Sequence, residues 1–304
     1  MKKMNPFCLL VFLLFSLNAF SSVYETAEEW EGFLTDVSIE KKAQDYRNAV
    51  TFYEEKKDYL NILNSWKKFV DLGDAQCDPN DYLKAAQRLV VLFSQEGEKA
   101  LHKYFAYVDQ IDPVAYGLKA KCHSDRREYS QACDMWYEYF FLQTNQSLIN
   151  PDDYRRASID FATINKNNKA KKLLDMLSEV TPLTELSCDY YNTAWELSNR
   201  GNFKIATWCW EKYFALKKEV SCSKFDLSAA YDFLAVQDYK RVAELLESYV
   251  SKTGKNKVKP LLGYAYAMCR NDEKAKVNFQ HLTRATPKEL KSYGSYVYRC
   301  AIGF

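Results

Sequence analysis

The feature that most constrains this chain is a pattern that recurs roughly every 35 residues and can be laid out seven times. The clearest copy lies between Leu261 and Pro287 and reads LLGYAYAMCRNDEKAKVNFQHLTRATP. Its apolar residues are spaced by three and four, which places them on one face of a helix. Each copy therefore predicts two amphipathic helices joined by a polar turn, and the chain predicts an all-α array.

The other six copies keep the same order of residue types. They begin near Ala43, Pro79, Pro113, Pro151, Ser187 and Ser223. Each has bulky residues on its first helix. Most have an alanine on the second helix, where a large side chain would push the two backbones apart. Asp112-Pro113 and Asn150-Pro151 put a capping residue before a proline, which is typical of helix starts.

This pattern resembles that of the tetratricopeptide repeat (TPR) family over about residues 43–286. In that family the first helix carries a bulky–small pair followed by an aromatic or aliphatic residue, and the second helix carries a small residue with a bulky one four positions later. The resemblance implies a right-handed superhelical solenoid of about seven TPR-like helix-turn-helix repeats. An irregular all-helical bundle whose spacing imitates repeats is the alternative.

The ends of the chain predict a targeting segment and two capping segments. Residues 1–21 have the layout of a secretory signal peptide, because two lysines precede the apolar stretch Phe7–Leu17 and small residues stand at positions 19 and 21. This predicts export to the periplasm or secretion, with an uncleaved anchor as the alternative. Residues 22–42 predict an N-terminal capping segment, and residues 287–304 predict a C-terminal capping helix, since terminal repeats need covers.

The charge balance argues against polyanionic partners. The chain has 42 basic and 40 acidic residues, and the two leader lysines account for the difference. Charges of both signs are interspersed, so nucleic acid is not expected as a partner. No stretch after the leader is long and apolar enough to cross a membrane.

Signals for catalysis are thin in the sequence. The three histidines lie in no metalloprotease or nucleophile motif, and the nine scattered glycines form no phosphate-binding loop. We therefore expect no enzymatic activity, no cofactor and no metal site.

Eight cysteines follow the leader, which invites disulfides in an oxidising compartment. Cys122 and Cys133 are the best candidates, because they lie on the two predicted antiparallel helices of one repeat. Buried thiols are the alternative, since cysteine is among the most buried residue types.

In TPR proteins the first helix of each repeat lines a concave groove, and the resemblance assigns groove positions in the last four repeats. These positions are Arg155, Ile159, Tyr191, Trp195, Leu227, Tyr231, Leu234, Tyr264 and Met268. They would form an aromatic surface with Trp195, Tyr231 and Tyr264 at its centre. The alternative is that these side chains turn sideways and pack against the next repeat.

An aromatic groove favours a role in binding other proteins, because large rigid side chains give contact area at low entropic cost. We therefore expect a non-enzymatic protein–protein interaction scaffold in the cell envelope that holds a peptide or helix of its partner. A glycan- or lipid-binding envelope protein and a secreted effector are the alternatives. The family's clamp of Lys, Asn and Arg for a terminal carboxylate is missing at the matching positions.

Overall fold

A computed structural model describes residues 24–38, 40–72, 77–92, 94–145, 148–216 and 223–280. The predicted signal peptide and C-terminal capping helix lie outside these residues. Within them the chain forms fifteen α-helices and one short 3-10 helix, without a strand. None of these helices has the length and apolar character needed to cross a membrane. The prediction of an all-α protein is confirmed.

Two compact units divide the chain at residues 126 and 127. The helices of unit 1 are α1 (Ala27–Thr35), α2 (Ala43–Lys56), α3 (Tyr59–Asp71), α4 (Pro79–Leu89), α5 (Ser94–Tyr107) and α6 (Pro113–Asp125). The first helices of unit 2 are α7 (Tyr129–Leu142), α8 (Pro151–Thr163), α9 (Asn167–Val180), α10 (Leu183–Asn199) and α11 (Phe203–Leu216). Unit 2 continues with α12 (Ser223–Ala235), α13 (Tyr239–Thr253), the 3-10 helix Asn256–Val258, α14 (Lys259–Met268) and α15 (Asp272–Phe279).

Consecutive helices pack as hairpins in the order that the sequence predicts. The pairs are α2 with α3 and α4 with α5 in unit 1, and α8 with α9, α10 with α11, α12 with α13 and α14 with α15 in unit 2. The small residues expected at the crossing points are fully buried on first helices, as at Ala49 and Ala194, and on second helices, as at Ala170 and Ala206. This arrangement confirms a TPR-like repeat fold.

Two glycines show how closely the paired helices approach. A Cβ added at Gly263 on α14 would lie 3.0 Å from the ring of Phe279 on α15. A Cβ added at Gly97 on α5 would lie 2.7 Å from the backbone nitrogen of Val90, directly after α4. Side chains larger than those present would therefore separate the two helices of a hairpin.

Helix α1 covers the first hairpin of unit 1. Thr26 and Glu29 form a capping box that starts the helix, and its apolar face buries Trp30 and Leu34. The Trp30 ring lies 6.3 Å from that of Phe52 on α2. This helix places a packed element at the end of the repeats, where an uncovered hairpin would expose its apolar side.

The turns within the hairpins share a backbone geometry. Lys57, Asn165, Gly201, Gln237 and Arg270 all have left-handed conformations, with φ between 57° and 77°. The next residue then donates its N–H to a carbonyl five positions earlier, as Asn202 does to Leu197 at 2.9 Å and Asp238 to Phe233 at 2.9 Å. Only one of these five residues is a glycine, so the other four carry the strain that a Cβ imposes there.

This strain gives a prediction at equivalent positions of two repeats. Gln237→Gly should raise the free energy of unfolding by about 0.5–1 kcal/mol, because glycine adopts the left-handed conformation without steric cost. Gly201→Ala should lower it by about 1 kcal/mol, since that conformation becomes strained. Urea unfolding followed by circular dichroism measures both, and equal effects of the same sign would contradict the assignment.

Candidate functional site

All nine predicted groove residues lie on α8, α10, α12 and α14, the first helices of hairpins in unit 2. We call this set of residues the first-helix surface. Polar contacts join the first three of these four helices. Arg155 Nη1 on α8 lies 3.4 Å from Glu196 Oε2 on α10, and Ser198 Oγ on α10 donates to Asp232 Oδ1 on α12 at 2.5 Å. Arg155 on α8 and Glu196 on α10 are therefore neighbours, as are Ser198 on α10 and Asp232 on α12.

Two large apolar side chains of this surface are open to solvent. Trp195 is 54% exposed and Met268 is 48% exposed. Leu227, Tyr231, Leu234 and Tyr264 are each partly buried, so part of each side chain remains accessible. A half-exposed indole ring on a surface that also carries partly accessible aromatic and aliphatic side chains is a feature that partner-binding surfaces share.

Two of the predicted groove residues are less accessible than Trp195. Ile159 is 1% exposed and belongs to the core, although it occupies the position that Trp195 and Tyr231 hold in later repeats. The ring of Tyr191 packs sideways, 4.4 Å from Phe225 and 5.7 Å from Trp210. This is the alternative that the sequence left open. It leaves Ile159 without accessible surface and Tyr191 with only part of its ring available.

Arg155 is also held by its neighbours. Its guanidinium forms an ion pair with Asp152 at 2.6 Å and a second one with Glu196 at 3.4 Å. A second arginine, Arg200, joins Glu196 at 2.7 Å to the buried Asp160 at 3.4 Å. Arg155 therefore acts in this structure as a link between α8 and α10.

Buried hydrogen bonds between tryptophan and aspartate side chains (Trp–Asp bridges) fix the first helices, and they were not predicted from the sequence. Trp136 Nε1 on α7 donates to Asp160 Oδ2 on α8 at 2.9 Å, and Trp210 Nε1 on α11 donates to Asp232 Oδ2 on α12 at 2.6 Å. In both pairs the second helix of one repeat binds the first helix of the next. Both aspartates are almost fully buried, so each bridge excludes water. The signal that could have revealed them is the recurrence of both residue types two repeats apart.

Burial also shifts the pKa values of two groups in unit 2. It raises the pKa of the Asp232 carboxyl, and the hydrogen bonds from Ser198 and Trp210 only partly oppose this shift. Burial raises the pKa of the Cys133 thiol to about 12, with the nearby Asp160 adding to the effect. Cys133 is thus an unreactive thiol in this structure.

The predicted disulfide stays a prediction. The structure holds both Cys122 and Cys133 as buried thiols. Among the described residues, no group of three or more His, Cys, Asp and Glu side chains is placed to hold a metal ion.

Comparison with known proteins finds similarity in fold only. No family model matches the sequence, and no curated protein matches it. The C-terminal part of a TPR repeat-containing protein from Cytophaga hutchinsonii is 16% identical with a TM-score of 0.49, over 81% of this chain and 98% of that one. A tetratricopeptide repeat protein from Parabacteroides merdae is 11% identical with a TM-score of 0.45, over 82% and 95%.

PilW, described as a widely conserved type IV pilus biogenesis factor, is 10% identical with a TM-score of 0.46, over 70% of this chain and 94% of that one. At these identities and scores, none of the three similarities carries an argument about function.

The raised pKa of Asp232 predicts a pH-dependent stability. An acid whose pKa is higher in the folded state contributes stability that is present below its unfolded pKa, about 3.9, and is lost as the pH rises through the folded value. The free energy of unfolding of the wild type should therefore fall relative to that of Asp232→Asn as the pH rises above about 4.

Urea titrations at a series of pH values measure this difference. Asp134→Asn, at an exposed position on α7, controls for the loss of one carboxylate. A difference between wild type and Asp232→Asn that stays constant, or that rises with pH, would contradict the assignment.

Proposed function

We propose that this chain is a non-enzymatic scaffold that binds a segment of another protein on the first-helix surface. The observation that carries the proposal is the exposure of Trp195, which is 54% open to solvent on α10, the second of the four helices of that surface. Tryptophan is the side chain that most often dominates the energy of protein–protein contacts, because it buries a large rigid area in one contact.

The surroundings of Trp195 support binding without rearrangement. Its neighbour Glu196 is fixed by Arg155 and Arg200, and Ser198 is hydrogen-bonded to the buried Asp232. A surface whose helices are already held in place loses little conformational entropy when a partner binds. The partly accessible Tyr231 and Leu234 on α12 extend the apolar area next to α10. A peptide or amphipathic helix is the type of ligand that such an area suits.

The proposed place of action is the cell envelope or beyond. This part of the proposal rests on the sequence of residues 1–21, with its two lysines, apolar stretch and small residues before the expected cleavage point. Fractionation of the native host, with mass spectrometry of the mature N-terminus, tests it. A full-length chain in the cytoplasm would contradict it.

Sugar binding is the second candidate, and Trp195 is again the reason, because an exposed indole ring can also stack on a pyranose. The two candidates differ in what the ring should contact in the native host. A photoreactive aromatic amino acid at position 195 should trap a single protein if the proposal is correct. Position 137 is a matched control, since Tyr137 is also 54% exposed in unit 2 but lies on a second helix. Trapping of glycan alone, or equal trapping of the same protein from both positions, would contradict a protein-binding first-helix surface.

A truncation gives the quantitative prediction for the trapped partner. Trp195→Ala should weaken binding by about thirtyfold or more, the loss of about 2 kcal/mol that is usual for a central tryptophan. Its melting temperature should stay close to that of the wild type, because the ring is exposed. Calorimetric titration measures the affinity, and Tyr137→Ala should bind as the wild type does.

A further inference from the structure

A cleft in unit 1 has a chemistry unlike that of the first-helix surface. It has a volume of about 530 Å³ and lies between the first helices α2 and α4, with one residue from α3. Its charged lining residues are Arg47 and Glu54 from α2 and Asp81, Lys84 and Arg88 from α4, and Trp66 from α3 also lines it. A cleft of this size can take a small molecule or one side chain of a larger ligand.

The acidic groups of the cleft are already engaged by basic ones. Arg47 Nη1 lies 2.5 Å from Asp81 Oδ2, and Lys84 Nζ lies 3.4 Å from the other oxygen of the same carboxylate. Arg88 Nη2 lies 3.1 Å from Glu54 Oε1. Three basic side chains thus face two carboxylates, and the lining as a whole favours an anion.

Two hydrogen-bond donors of this lining remain without an acceptor among the described residues. They are Trp66 Nε1 and Arg47 Nε, and both atoms are buried. Trp66 as a whole is 4% exposed, so its indole N–H is removed from bulk water. A buried donor without a partner is destabilising, which makes an acceptor at this place favourable.

The later repeats show which acceptor suits this tryptophan. Trp210 lies 22 positions before Asp232 and donates its indole N–H to that carboxylate. Asp160 and Asp232 each stand two residues after a buried pair of small residues on their first helix, and in unit 1 the residue two positions after the buried pair Ala85-Ala86 is Arg88. The Arg88 guanidinium is directed to Glu54 instead. The repeat in unit 1 thus keeps the donor and lacks the carboxylate.

From this comparison we infer that the cleft of unit 1 binds a carboxylate ligand, which accepts hydrogen bonds from Trp66 Nε1 and Arg47 Nε. The ligand takes the place that Asp160 and Asp232 occupy in unit 2. Its source is either a free small carboxylate or an acidic side chain of a protein segment. The inference does not depend on the proposed function, because the two surfaces belong to different units and can be tested separately.

Indole N–H signals in NMR spectra of the isotope-labelled full chain give a direct test. Sodium acetate, succinate, a short glutamate-containing peptide and its glutamine counterpart serve as probes, with sodium chloride at matched ionic strength. The Trp66 signal, assigned through Trp66→Phe, should shift saturably with the carboxylates. The signals of Trp136 and Trp210 should stay in place, because their N–H groups already bind aspartate. Saturation by acetate or succinate at concentrations like those of the peptide indicates a free carboxylate, and at least tenfold tighter binding of the glutamate peptide indicates a protein segment.

Substitutions at Arg88 sharpen the test without touching a buried side chain. Arg88→Asp supplies the carboxylate of the later repeats and should abolish the response. Arg88→Gln removes the same charge without supplying a carboxylate, so it should weaken the response without abolishing it. The inference is overturned if the Trp66 signal ignores all the carboxylates, if chloride or the glutamine peptide moves it equally, or if both Arg88 variants respond like the wild type.

Discussion

The close approach of paired helices is the constraint on which the rest of this structure depends. It is possible because alanine or glycine stands at most of the points where two backbones meet, as Ala194 and Ala206 do in one hairpin and Gly263 and Ala275 do in another. Tight pairs leave each hairpin with one apolar side that only the next hairpin can cover. Large aromatic residues such as Trp136, Trp210 and Tyr154 fill this space and are fully buried. Stability in such a fold is shared between neighbours.

Polar contacts between repeats also fix the register of one helix against the next. Several join residues 34 positions apart, as Arg47 does to Asp81, Glu54 to Arg88 and Ser198 to Asp232. The repeat period therefore appears in the hydrogen bonds as well as in the core. A buried carboxylate fixed in this way favours one register of helix against helix, because a shift of one residue would leave it without its donors. The contact between Ser198 and Asp232 links the helix that carries Trp195 to its neighbour, whereas the indole N–H of Trp66 has no acceptor among the described residues.

The fold could be predicted from the sequence because its signals are local. The spacing of apolar residues gave the helices, the Asp-Pro and Asn-Pro pairs gave starts such as Pro113 and Pro151, and the alanines gave the pairing. Which groove residues are accessible was harder to predict. Ile159, Trp195 and Tyr231 stand at one repeat position, yet the first is in the core and the second is half exposed. The difference depends on the side chains of neighbouring repeats, which a position in a motif does not contain.

The polar bridges were not predictable from a single repeat for a related reason. Nothing in the local sequence distinguishes Asp160 or Asp232 from a solvent-exposed acid, because the tryptophan that each one binds belongs to the preceding repeat. The left-handed turn residues were not predictable either, because Lys57, Gln237 and Arg270 do not have the side chains that favour this conformation.

Substitution of one crossing residue tests the close-packed hairpin most directly. Ala194 is fully buried on α10, and Asn192 is exposed on the same helix. Equilibrium unfolding in urea should show Ala194→Leu to be less stable than the wild type by about 3 kcal/mol, because the added side chain must force two helices apart. Asn192→Leu should change stability by no more than about 0.5 kcal/mol. If Ala194→Leu were as stable as the exposed control, the helices would have room between them, and the account of this fold would be wrong.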